Sequence, residues 1–155
     1  KSTLKNDVYV DGGVTQNKNT NKIEIDVYIN PKKEPNIYSK LYALLYDVVR
    51  HELQHLLQSG KNKQPDRARP TSGKERKIAD AGGRYSYTML PDELEALVFG
   101  FLLSAKLRRV PITKIFTDQL DEWLKNGEID SNEYKLIYNA WVDFTKKHIS
   151  SAKLK

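Results

Sequence analysis

The chain has 155 residues, 39% of them hydrophobic and 30% charged, with a formal net charge of +6 and no cysteine. That length carries one globular core rather than several, and the balance of apolar and charged residues excludes a disordered chain. Without cysteine there is neither a disulfide framework nor a thiolate metal site, so any metal must be held by imidazole and carboxylate.

In chain order, Val8 to Gly13 (VYVDGG) reads as a short strand ending in a turn at Gly12-Gly13, with a polar connector from Thr15 to Asn21. Ile23, Ile25, Val27 and Ile29 then alternate with Glu24, Asp26 and Tyr28. That is the pattern of a half-buried strand, stopped by Pro31 and Pro35. From Ile37 to Gln58 the period lengthens. Leu41, Leu44, Leu45, Val48, Leu53, Leu56 and Leu57 recur at three- and four-residue spacing, predicting a helix that ends near Ser59-Gly60.

Residues 60–84 are rich in Lys, Arg, Pro, Gly and Ser and lack an apolar period, so a long basic loop is expected, with 61–77 mobile. Pro91, Asp92 and Glu93 open a second helix that runs to Arg108 and Arg109, with charges suited to its dipole. Ile112 to Asn126 forms a third, closed by Gly127. Asp130 and Glu133 have the spacing of a capping box opening a last helix to about His148. The expected fold is α+β, a single domain over 1–155. A sheet of two or three strands packs on the His51/His55 helix, followed by about three further helices. Trp123 and Trp141 are expected to pack between the last two helices, and His148 to be exposed in the basic tail, 146–155.

The run Ala96 to Ala105 is too short to cross a bilayer, so no membrane partner is expected. No signal peptide is visible, which slightly favours the cytoplasm, although a chain beginning at Lys1 can have lost a leader. The cationic excess sits mainly in 61–77 and the tail, and reads as solvated charge rather than a nucleic-acid surface.

Val48 to Gln58, VVRHELQHLLQ, holds two of the three histidines. On a helix, residues four apart lie about 40° apart in projection, so His51 and His55 can aim both imidazoles at one point. Glu52 stands on the same side, close enough to reach a metal-bound water without being a ligand. Two ligands and a base thus come from one helical turn, and Zn2+ is the metal that suits them. The bland alternative is a helix with two half-exposed histidines, but imidazoles and a carboxylate on a largely apolar helix are costly to bury without partners.

His51-Glu52-Leu53-Gln54-His55 resembles the HExxH signature of the zincin metallopeptidases. The resemblance covers about residues 23–105. No third histidine follows within a dozen residues, which leaves the gluzincin arrangement, with a glutamate on a downstream helix and small residues packing against the HExxH helix. Glu93, Ala96, Gly100 and Ser104 form one such stripe. The resemblance therefore implies Glu93 as third ligand, with Glu95 as the competing carboxylate or as a support for an imidazole N–H. Glu-x-Glu-Ala-x-x-Phe also looks like the anti-repressor-cleaving and stress-response peptidases of bacteria and phage, without their usual terminal Leu-Met-Pro.

The function expected is zinc-dependent endopeptidase action on a protein or peptide, with Glu52 as general base. Tyr87 is the favoured oxyanion donor, ahead of Tyr85 and Arg84. In zincins the substrate pairs along a sheet edge, and the strand Ile23 to Ile29 is the candidate edge. Two other readings are kept: a basic zinc protein associated with nucleic acid, and a degenerate zincin acting as a binding module. An intact Glu52 counts against the latter.

Overall fold

The computed structural model describes residues 8–16, 20–30, 37–59, 63–149 and 154. Pro31 and Pro35, the start of the basic segment at 60–62, and 150–153 and 155 of the tail lie outside them. The architecture is α+β. A hairpin of β1 (Val8–Gln16) and β2 (Asn21–Ile29) precedes six helices: α1 (Ile37–Gln58), α2 (Gly73–Ala81), α3 (Gly83–Thr88), α4 (Pro91–Arg108), α5 (Ile112–Asn126) and α6 (Ser131–His148). Among these residues no helix is long and apolar enough to cross a membrane.

The strands pair antiparallel, with Val8 opposite Ile29, Val10 opposite Val27 and Gly12 opposite Ile25. Paired residues share a face, and this face turns to α1. The expected turn at Gly12-Gly13 is absent: β1 runs through both glycines to Gln16. Gly12 is there for closeness rather than for turning. A Cβ on it would lie 2.5 Å from Val48 Cγ1 and 3.2 Å from Glu52 Cγ, so its bare backbone lets the sheet press against the middle of α1.

The core lies elsewhere. Val98 and Phe101 of α4 join Ile115, Phe116 and Leu120 of α5 and Ile137 and Trp141 of α6 in one buried cluster. Phe101, Phe116 and Trp123 all meet Trp141, at centroid separations of 5.0, 5.2 and 5.8 Å. Each such side chain contributes about 1.5–3 kcal/mol of burial, so this three-helix half holds most of the apolar stabilisation. Trp123 and Trp141 pack between the last two helices, as expected, and His148 is exposed, stacked on Phe144. Gly127 closes α5 at φ 72°, and Asp130 with Glu133 forms the capping box of α6.

α4 is the shared wall. One side meets α5 and α6, and the other meets α1. Gly100 makes the second contact possible, because a Cβ there would sit 3.0 Å from the Asp47 carbonyl oxygen and would collide with Asp47 Oδ1. The small-residue stripe Ala96, Gly100, Ser104 is buried throughout, and α1 packs against this helix. The buried residues of α1 are Ile37, Glu52, Gln54 and Gln58, three of them polar, whereas its leucines are only partly covered.

Residues 60–84 are not a structureless loop. Ser72 and Glu75 form a reciprocal capping box, opening α2 at Gly73, and α3 begins at Gly83. Among the described residues five helices follow α1, the three expected ones and the two short helices α2 and α3 within the expected loop. The described part of 61–77 is also anchored. Ala68 N–H donates to Glu95 (2.8 Å), Thr71 N–H to Asp92 (2.8 Å), and Arg76 reaches both Asp92 (3.0 Å) and Glu93 (2.5 Å). Arg67 lies over the Phe99 ring at 4.9 Å. The segment is a strap tied to the acidic first turns of α4, and two of its cations, Arg67 and Arg76, are matched to carboxylates there that a composition count cannot see.

Candidate metal centre

His51 and His55 stand one turn apart near the end of α1, and Glu93 stands in the first turn of α4. The α1–α4 contact brings them together. The two Nε2 atoms are 3.1 Å apart; Glu93 Oε2 is 3.4 Å from His51 Nε2, and Oε1 is 3.4 Å from His55 Nε2. A zinc with bonds of about 2.0–2.1 Å spaces tetrahedral ligands about 3.3 Å apart, and the Nε2–Nε2 and Nε2–carboxylate separations, the latter to different oxygens of Glu93, are of that size. Among the described residues this is the cluster of three whose donor atoms could hold a metal ion.

The electrostatics agree with that geometry. Burial opposes the charge on Glu93, but hydrogen bonds and charge interactions with His51 and His55 hold its carboxyl well below the usual range. Burial likewise opposes a proton on His55, yet Glu93 and Gln58 raise its pKa above the ordinary value. A deeply placed carboxylate facing two imidazole nitrogens is a donor set of the kind that holds a divalent ion.

Glu52 is 6% exposed, and its Oε1 lies 3.9 Å from His51 Nε2. Burial raises its pKa, against the lowering influence of the two histidines. It is close to the His51/His55/Glu93 cluster without belonging to it.

These groups open on a cleft of about 820 Å³. One wall is β1, from Tyr9 through Gly12 and Gly13 to Val14; no residue of β2 lines it. The strand that borders the cleft is β1, not the Ile23–Ile29 strand named as the candidate edge. β2 lies on the outer side of the hairpin, where Val27 and Ile29 remain 43% and 39% exposed. β2 also contacts α1, but none of its residues lines the cleft.

Tyr87, on α3, lines the cleft; its hydroxyl accepts from Arg76 Nη1 at 2.7 Å and bonds with the Glu93 carboxylate. Burial and the nearby Glu93 raise its pKa, keeping the phenol protonated. Arg84 also lines the cleft but is committed to Glu128 (2.7 and 2.9 Å) and stacked over Trp123 (5.1 Å). Tyr85 turns away and packs against the core. Glu95 is buried, does not touch the ligand cluster, and meets Gln58 and the strap instead.

Gln58, Asp92, Arg76 and β1 were not singled out from the sequence. Gln58 follows His55 by three residues and His51 by seven, on the same helical face, which was a usable signal. Ser72-x-x-Glu75 was another, a capping box announcing the helix that carries Arg76. Nothing local marks Asp92 as the anchor of the strap, because its partners are 16 and 21 residues away.

An α+β domain with a two-histidine, one-carboxylate cluster at the base of a cleft is the class that fold and site define. Comparison with protein-family models, curated proteins and solved structures returns no match for this chain.

Proposed function

We propose that the chain is a zinc-dependent endopeptidase that holds zinc through His51, His55 and Glu93. The observation that carries this reading is the convergence of those three side chains at separations of 3.1–3.4 Å, with Glu52 beside them and a cleft in front. Bound zinc would supply Lewis acidity and lower the pKa of a water.

The chain's own groups fit the remaining tasks. Glu52 accepts a proton from the attacking water and later delivers it to the leaving amine. Tyr87 Oη, held in place by Arg76, donates to the oxygen that gains charge. β1 offers an edge along which an extended peptide can lie, with Gly12 and Gly13 giving its backbone close approach. The strap cations Arg67 and Arg76 are engaged with buried carboxylates, which leaves them little to offer a phosphate backbone.

Elemental analysis of purified protein should find one zinc per chain, lost in His51→Ala and His55→Ala. Glu52→Gln should retain zinc and fold yet lose about 100- to 10,000-fold in hydrolysis of an unfolded protein substrate. Wild-type protein without transition metal, or a Glu52→Gln variant as active as wild type, would refute the proposal.

A further inference from the structure

We infer that Gln58 is a positioning residue that fixes the tautomer of His55, and that Glu95 acts on the site through it. This rests on the reading of His51, His55 and Glu93 as metal ligands. Gln58 is 1% exposed, one turn beyond His55. Its Nε2 faces two acceptors, the Asp92 carbonyl oxygen at 2.9 Å and Glu95 Oε2 at 2.8 Å. Turning the amide over would set its oxygen against a carbonyl and a carboxylate, so the orientation is fixed.

Gln58 Oε1 then faces His55 Nδ1 at 2.8 Å and can only accept. Nδ1 must carry the proton, and the Nε2 lone pair is left pointing at His51 and Glu93. Which imidazole nitrogen binds a metal is set by the hydrogen bond the other one makes, and here a neutral amide sets it.

Glu95 completes the chain. About 200° around α4 from Glu93, it cannot share the metal. Its oxygens instead receive Gln58 Nε2, Ala68 N–H at 2.8 Å and Arg67 Nη1 at 3.4 Å. The strap thus locks the carboxylate that locks the glutamine that orients the histidine. Hydrogen bonds in such a series polarise one another, making His55 Nε2 a better donor to a metal.

The test uses Gln58→Met, nearly isosteric but without the amide, and Glu95→Gln, each checked for fold by circular dichroism. In metal-free wild type above pH 8, nitrogen-15 shifts should place the His55 proton on Nδ1; in Gln58→Met the Nε2–H form should gain population. Zinc affinity by chelator competition should fall about 10- to 100-fold in Gln58→Met and less in Glu95→Gln, whose carbonyl still accepts. A wild-type His55 proton on Nε2 overturns the inference, as does zinc binding by Gln58→Met equal to wild type. Failure of wild type to bind zinc refutes the metallopeptidase reading instead, and the tautomer measurement alone then decides the role of Gln58.

Discussion

Gly100→Ala tests the α1–α4 contact on which the site depends. The added methyl would lie 3.0 Å from the Asp47 carbonyl oxygen, where ordinary contact starts at 3.4 Å, and would also collide with Asp47 Oδ1. The Asp47 side chain can swing aside, but its backbone cannot, so the helices must part by about 0.4 Å, the difference between 3.4 and 3.0 Å. Such overpacking costs about 1–3 kcal/mol. Replacing a mid-helix glycine by alanine returns about 1 kcal/mol of helix propensity. The net expectation is a loss of about 0–2 kcal/mol in urea denaturation, smaller than a cavity mutation would give. Metal ligands tolerate about 0.5 Å of displacement, so zinc affinity should show the larger response, about tenfold by chelator competition. A variant about 1 kcal/mol more stable than wild type, with unchanged zinc affinity, would mean that helix propensity acted unopposed. Gly100 would then not be a point of close approach.

With metal chelated, stability should decline as pH rises from about 5 to 8, above the range in which the depressed Glu93 carboxyl gains its stabilising charge. Burial pushes Asp47 up to about 7 from 3.8, so its contribution is complete below 3.8 and is lost as pH climbs through the folded value; the raised pKa of His55 adds a loss above 6.5. Asp47→Asn should flatten the lower part of that fall, by up to about 4 kcal/mol, and urea midpoints that rise with pH in wild type contradict the assignment. Tyr87→Phe should lower kcat about 100-fold while leaving zinc affinity unchanged; an unaltered kcat removes Tyr87 from the oxyanion site. Trypsin should cut after Arg67 and Arg76 only as fast as the whole protein unfolds, and early nicking at either bond under native conditions would show that the strap is not docked.

The helices were legible wherever apolar period and terminal chemistry agreed. Ile37–Gln58, Pro91–Arg108, Ile112–Asn126 and Ser131–His148 all stand where Pro91, Gly127 and the Asp130/Glu133 pair placed them. The glycine pair misled because a strand needing close approach and a turn needing positive φ use the same residue. The strap misled for a different reason. Its order comes from carboxylates on α4, 16 to 28 residues away, and only a capping box signalled structure within it. His51 and His55 could be paired on one face from spacing alone, and the carboxylate that stands beside them is Glu93, on the small-residue stripe, while Glu95 faces Gln58 and the strap. The partner of His55 could not be read in the same way, because Gln58 gains its meaning only from Asp92 and Glu95 across the helix contact.

The uneven placement of the core divides the molecule thermodynamically. Aromatic packing among α4, α5 and α6 should make that half the slow-exchanging unit, while α1 meets α4 partly through polar contacts, Gln58 with Asp92 and Glu95 and Asp47 with Gly100. Contacts of that kind lose strength whenever one partner is mis-set. In metal-free protein, the amides of α1 and the hairpin should therefore exchange through a partial opening below the global free energy. Metal binding would close that gap, raising the exchange protection of α1 and β1 towards that of the helical half, so that occupancy becomes readable far from the ligands themselves.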